Sequence, residues 1–339
     1  MTLYPWLQSD LAQLLARRAQ LPHALLLHGQ SGIGKTELAQ FFAQSLLCEQ
    51  PTPHGACGQC DACGWFAQGN HPDYRCIRPD ALSEDVTNTE PEEGKDKKKA
   101  SQEIRVDQIR ALADFVNIGT HRSGLRVVVL YPAQALNMNA ANALLKVLEE
   151  PPPQSLFVLV ADGLDRLLPT ILSRCQKVSM GIPDPAQASS WLQAQGVKEG
   201  AALLAEAGGA PLAALALNEA SDWRQLQGEL LTELAQPAQM DALRLAEKLY
   251  KLPLPTVIDW MQRWLYDLIA YCQTSRVRYY PAREKTLLKL AQQIPLAATM
   301  ELARQVNQFQ AIARHPLNTR VQLEALLLQY QRALQVRSP

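Results

Sequence analysis

Gly29-Gln30-Ser31-Gly32-Ile33-Gly34-Lys35-Thr36 carries the whole of the pattern G-x-x-x-x-G-K-[ST]. Glycines at those positions let consecutive backbone N–H groups curl round a phosphate. The flanks suit the pattern. His23 to His28, with Leu25-Leu26-Leu27 inside it, reads as a strand, and Leu38, Phe41, Phe42 and Leu46 come after it at helical spacing. The start of that helix would add partial positive charge at the loop. In this pattern Gly29, Gly32 and Gly34 shape the loop, Lys35 reaches the β- and γ-phosphates, and Thr36 offers its hydroxyl to Mg²⁺. ATP or ADP with Mg²⁺ is therefore the expected ligand.

Binding is not hydrolysis. A loop of this kind hydrolyses ATP with the help of an acid at the end of a second strand, which holds the metal. The next strand-like run is Arg126 to Leu130, and the residues directly after it are Tyr131-Pro132-Ala133-Gln134, with no carboxylate. Asp162 and Asp165 come after a third run, Leu156 to Val160, and neither directly succeeds the second. Hydrolysis by the isolated chain is expected to be slow or absent, so the chain alone is not expected to act as an enzyme.

Short continuous apolar runs separated by helical patterns predict an α/β domain whose parallel strands are buried on both faces. After Pro183 strand-like runs stop, and Ala, Leu and Gln dominate to the end. There Leu323, Leu326, Leu327, Tyr330 and Leu334 mark one face of an amphipathic helix, which Asn318 or Thr319 could cap. The predicted organisation is a P-loop domain over 1–181, a small helical lid over 182–219 and a helical C-terminal domain over 220–339. Between Asp80 and Glu103 a polar, charged stretch containing Lys97-Lys98-Lys99 reads as a solvated loop.

Cys48, Cys57, Cys60 and Cys63 form C-x₈-C-x₂-C-x₂-C, a knuckle over 48–63 inside the first domain. Four thiolates suit a closed tetrahedral Zn²⁺ site with no open position, hence a structural metal. Iron–sulfur ligation uses similar spacings and stays open on spacing alone. Cys76, Cys175 and Cys272 stand apart. No secretory signal and no run of about 20 apolar residues is visible, so a cytoplasmic protein with reduced thiols and no membrane contact is expected. Lys plus Arg equals Asp plus Glu at 33 each, which speaks against binding nucleic acid by bulk charge.

Three further segments, with the loop and the cysteines, resemble the bacterial clamp-loader branch of the AAA+ ATPases. His71-Pro72-Asp73-Tyr74 comes after the knuckle. Ala140-Ala141-Asn142-Ala143-Leu144-Leu145-Lys146-Val147-Leu148-Glu149-Glu150-Pro151-Pro152 is similar to the family's most recognisable helix, and Thr170-Ile171-Leu172-Ser173-Arg174-Cys175 holds a Ser-Arg-Cys motif. The resemblance implies an AAA+ domain and a role in loading the sliding clamp onto primed DNA for DNA polymerase III. It implies as partners the gamma/tau motor subunits and the delta subunit, in a hetero-pentamer joined through the C-terminal helices. Arg174 would point into a neighbour's ATP site, where a guanidinium stabilises the transferring phosphate. The motor subunits carry an acidic pair where Tyr131-Pro132 stands, an arginine near Leu212 and a hydroxyl at Ala161. Lacking all three but keeping Arg174, the chain resembles the delta-prime branch, whose start is similar to Tyr4-Pro5-Trp6-Leu7. Some delta-prime chains have a degenerate P-loop; this one is intact. The rival readings are a gamma/tau-type motor, a zinc-dependent nucleic-acid-binding module and a small-molecule P-loop kinase.

Overall fold

The computed structural model describes residues 3–82, 100–117, 124–312 and 318–334. The Lys97-Lys98-Lys99 run lies outside the described residues. Contacts divide the chain into two compact units, Met1–Gln187 and Ala188–Pro339.

In the first unit five strands form one parallel sheet: β1 (Ala24–His28), β2 (Tyr74–Ile77), β3 (Arg126–Leu130), β4 (Ser155–Ala161) and β5 (Gln176–Ser179). Helices α1 (Gln8–Ala16), α2 (Lys35–Leu47), α3 (Asp61–Ala67), α4 (Val106–Asn117), α5 (Met138–Glu149) and α6 (Pro169–Arg174) connect and cover them. The order across the sheet is β2-β3-β4-β1-β5. The three runs legible in the sequence are the three central strands, and every residue of β3 and β4 is buried. Their aliphatic side chains pack with Ile109 and Leu112 of α4 and Leu144 and Leu148 of α5 in one apolar core. Asn137 starts α5 by accepting a hydrogen bond from the Ala140 amide at 2.9 Å, and the prolines after Glu150 stop it.

Because β4 is inserted between β1 and β3, the carboxyl ends of these strands face one crevice, where open α/β sheets bind ligands. The register is close: His28 lies beside Ala161 on one side and Ser179 on the other, and Leu130 lies beside Leu159.

His71-Pro72-Asp73-Tyr74 has a structural task. His71 Nδ1 accepts the Asp73 amide at 3.1 Å, and burial holds this imidazole below its usual pKa. The Asp73 carbonyl accepts the Val127 amide at 3.0 Å, which sets β2 beside β3. Its carboxylate, 0 % exposed, lies 3.9 Å from Arg126 Nε, itself only 3 % exposed. Arg126 also donates to the Val116 carbonyl at 3.2 Å and lies 5.0 Å from the centre of the Phe115 ring.

The second unit is helical: α7 (Pro185–Ala194), whose first residues fall in the first unit, α8 (Gly200–Glu206), α9 (Pro211–Glu219), α10 (Ser221–Leu234), α11 (Ala242–Leu249), α12 (Leu254–Thr274), α13 (Glu284–Gln293), α14 (Leu296–Ile312) and α15 (Thr319–Leu334). Among its described residues two apolar clusters form. A small one joins Ala188, Leu192, Leu203, Leu204 and Ala214. A larger one runs from Leu230 to Leu334 and contains the whole predicted stripe of α15. Asn318 accepts the Arg320 amide at 3.1 Å at the start of that helix, as an N-cap does. Tyr330 ties three helices: its hydroxyl donates to the Leu234 carbonyl at 2.7 Å and accepts from Trp264 Nε1 at 2.9 Å. Buried Asp267 accepts the amides of Arg278, Tyr279 and Tyr280 and so fixes the chain after α12. Among the described residues no single helix is long and apolar enough to cross a membrane.

Candidate nucleotide crevice, cysteine knuckle and surface arginine

The loop Gly29–Thr36 leaves β1 at the carboxyl edge of the sheet and enters α2 at Lys35. Gly29 is pinched by the chain leaving β5: a Cβ there would collide with the Met180 carbonyl. Gly34 has φ 92° and is the left-handed residue before α2, a conformation that favours glycine. A Cβ at Gly34 would also come within 2.8 Å of Leu7 and 2.9 Å of Tyr4. The N-terminal segment is thus packed on the loop, and Trp6 Nε1 donates to the Ile33 carbonyl at 2.9 Å. Lys35 is 4 % exposed; its ammonium donates to the Gln30 carbonyl at 2.6 Å and to Asp162 Oδ1 at 2.9 Å. Thr36 is half-buried in the first turn of α2.

At the end of β3, Tyr131 fills the position where a metal-holding acid would be needed. Its hydroxyl accepts from Gln40 Nε2 at 3.3 Å and Arg78 Nη1 at 3.2 Å, and burial pushes its phenol up. This group presents no negative charge to a cation. Burial and the nearby Lys177 and Lys35 ammoniums hold His28, at the end of β1, below the ordinary imidazole range.

The four cysteines of the knuckle come together. Their Sγ atoms all lie within 4.8 Å of one another, with Cys48 to Cys60 at 3.8 Å and Cys57 to Cys63 at 4.0 Å. Tetrahedral thiolates on an ion with bonds of about 2.3 Å sit about 3.8 Å apart, so the set fits one four-coordinate metal. Sulfurs this close suit a single ion better than a multi-iron cluster. Backbone amides point at the sulfurs: Cys57 N at Cys48 Sγ, 3.3 Å, and Gln59 N and Cys60 N at Cys57 Sγ, each 3.4 Å. The Gln59 and Cys60 amides lower the Cys57 thiol to about 6, whereas burial pushes Cys63 up to about 12. Cys48 comes directly after the last residue of α2, and Cys60 precedes α3. Ser45 of α2 accepts the Ala56 amide at 3.1 Å, a second tie between helix and knuckle.

Arg174 ends α6, just before β5. Gln176 pairs with Leu25 at the beginning of β1, whereas the loop starts after His28 at its end. Arg174 and the loop therefore lie at opposite edges of the sheet, separated by a strand that at about 3.3 Å per residue spans about 13 Å. The guanidinium is at the surface, where it donates to the Thr170 carbonyl at 3.0 Å and meets Glu149 Oε1 at 2.6 Å.

A family model described as DNA polymerase III, delta subunit, matches residues 7–183. The DNA polymerase III subunit delta′ of Pseudomonas aeruginosa is 38 % identical over 79 % of this chain and 78 % of its own length. The chain belongs to the DNA polymerase III subunit delta′ family. The delta′ subunit of Yersinia pestis is 31 % identical over 98 % of this chain and 97 % of its own length. A tau/gamma subunit of DNA polymerase III, from Haemophilus influenzae, is 32 % identical over 51 % of this chain and 22 % of its own length.

In this delta′-family chain the loop residues follow β1, the four cysteines gather into one cluster, and Arg174 lies at the opposite edge of the sheet from the loop. Three partners were not foreseen. Asp162 and Gln134 meet beside Lys35, with Gln134 Nε2 donating to Asp162 Oδ2 at 3.0 Å. Glu149 meets Arg174. Asp162 carried one signal, its place directly after a strand, but only the strand order puts that strand next to the loop.

Proposed function

We propose that this delta′ chain completes the ATP site of a neighbouring subunit instead of firing one of its own. It would do so within a clamp loader of motor (gamma/tau) and delta subunits, a hetero-pentamer that places the sliding clamp on primed DNA in the bacterial cytoplasm. The observation that carries the reading is the placement of Arg174. An arginine at the amino edge of the sheet cannot reach phosphates held at the carboxyl edge, but at the surface it can leave Glu149 to meet those of another chain. Its own crevice lacks an acid after β3, where Tyr131 stands, so ATP or ADP held by Gly29, Gly32, Gly34, Lys35 and Thr36 would be hydrolysed slowly or not at all.

Residues 182–219 would act as the small helical lid and residues 220–339 as the assembly domain. Cys48, Cys57, Cys60 and Cys63 would hold one structural Zn²⁺; four thiolates leave no open position for chemistry. The ion would staple the exit of α2, and through it the loop, to α3.

The test is Arg174→Ala in the assembled complex. Arginine fingers contribute about 10³–10⁵ in rate in well-studied cases. The adjoining motor site should lose at least about 10³ of its rate, while assembly is unchanged. An undiminished DNA-stimulated ATPase overturns the trans-arginine role. Turnover by the isolated wild-type chain at ordinary enzymatic rates overturns the hydrolysis-deficient one.

A further inference from the structure

The ammonium of Lys35 already has an anion on it. Asp162 is the first residue after β4, across the crevice from the loop, and its carboxylate is 46 % exposed where Lys35 is 4 % exposed. One oxygen takes the Lys35 ammonium at 2.9 Å. The other takes Gln134 Nε2 at 3.0 Å, and Gln134 Oε1 accepts the Asp162 amide at 3.4 Å. A single side-chain amide thus grips Asp162 at both carboxylate and backbone. An anionic oxygen at this distance from the loop lysine is chemically what a phosphate oxygen supplies.

We propose that Asp162, gripped by Gln134, is an internal substitute for phosphate that sets the nucleotide affinity of the loop: a nucleotide must displace this carboxylate from Lys35 before its own phosphate can take the cation. The inference rests on the reading of Gly29–Thr36 as a nucleotide loop and adds what limits that loop. The usual task of an acid near such a loop, holding Mg²⁺, asks for free carboxylate oxygens beside the Thr36 hydroxyl. Here both oxygens are engaged, one by the cation the phosphate needs. Asp162 therefore opposes binding, with or without metal.

The experiment is a calorimetric titration of the intact chain with ADP, in the presence and absence of Mg²⁺, on wild type and four variants. Asp162→Asn keeps the shape and removes the competing charge. It should bind ADP about tenfold or more tightly than wild type in both conditions, the scale of one charge-assisted hydrogen bond. Gln134→Ala frees one oxygen and should shift affinity the same way by less. Asp165→Asn removes an equal charge three residues on, without the contact, and should leave affinity where it was. Lys35→Ala should abolish binding. Unchanged or weaker binding by Asp162→Asn overturns the proposal, as does a gain that needs Mg²⁺ or one that Asp165→Asn reproduces. If wild type binds and Lys35→Ala does not, such a failure leaves the loop reading standing. If neither wild type nor Asp162→Asn binds ADP, the loop reading fails and takes this one with it. Half-exposed Asp162 makes misfolding of Asp162→Asn a minor concern, and a cooperative melt near that of wild type checks it.

Discussion

Asp73→Asn separates a structural reading of the His71-Pro72-Asp73-Tyr74 signature from a functional one. The exchange keeps the shape of the side chain and removes its charge. What remains is Arg126, 3 % exposed, with its guanidinium still among Phe115 and the Val116 carbonyl and no carboxylate beside it at 3.9 Å. Removing one partner of a buried ion pair costs about 3–5 kcal/mol, because the surviving charge cannot regain its water. Domains have only about 5–15 kcal/mol in hand, so the loss is about a fifth of the total or more. With a urea slope of about 2 kcal/mol per molar, the midpoint for the first unit should fall by about 1.5–2.5 M. The assay is urea unfolding of the intact chain, combined with hydrogen exchange in β2 and β3 so that the first unit is read apart from the second. Adding Arg126→Met to Asp73→Asn removes the buried charge that Asp73 balances and should recover most of the loss. Below the midpoint, ADP affinity and assembly per folded molecule should stay as in wild type. An unshifted midpoint, or full stability with lost binding or assembly, refutes the structural reading.

Two other outcomes are expected. Protein prepared without chelator should hold one zinc per chain by elemental analysis; Cys60→Ser should empty the site and raise exchange over 48–63 while the sheet stays protected, and iron in its place would overturn the assignment. Tyr330→Phe should cost the second unit about 2–4 kcal/mol in urea, since it strands the Leu234 carbonyl and the Trp264 indole N–H in a dry core without opening a cavity. An unchanged midpoint there would mean that solvent reaches those groups.

The parts of this molecule that sequence reveals are those fixed by burial on both sides or by local chemistry. β1, β3 and β4 occupy the middle of the sheet, so each had to be a continuous apolar run. β2 and β5 are the sheet's edges, four residues each, and Gln176-Lys177-Val178-Ser179 is mostly exposed, so no run announced it. The loop and the cysteine knuckle were legible because their geometry lies within short stretches of chain. The pairs Lys35–Asp162 and Arg174–Glu149 were not, because each joins residues that only the strand order and helix packing bring together. Arg174 shows the limit most clearly: the motif named the residue, but only the register of β5 on β1 shows which edge of the sheet it occupies.

On the proposed reading, that separation of edges lets a chain of this kind give up one half of an ATPase and keep the other. Everything proposed to handle the chain's own phosphate lies at the carboxyl ends of the strands: the loop after β1, Tyr131 after β3, Asp162 after β4. Arg174 lies at the other end, before β5, on a short helix whose Ile171 packs into the same core as Leu26 and Phe157. The two share the strands that support them and lie at opposite ends of those strands. On that reading, having Tyr131 after β3, or Asp162 on Lys35, leaves the support of Arg174 untouched. The reverse does not hold for the core. A change that loosens β1 or β4 moves both edges at once, so the aliphatic residues of the central strands should tolerate less substitution than any residue of the crevice. On the proposed reading, what must be kept is a sheet stiff enough to present an arginine, and the loop is retained first as part of that frame, with Gly29 against Met180 and Gly34 against Leu7 and Tyr4. Lys35→Ala in the assembled complex should then disturb the neighbour's ATPase far less than Arg174→Ala does. Equal losses from the two would mean that nucleotide in this chain's own crevice is part of how the arginine is delivered.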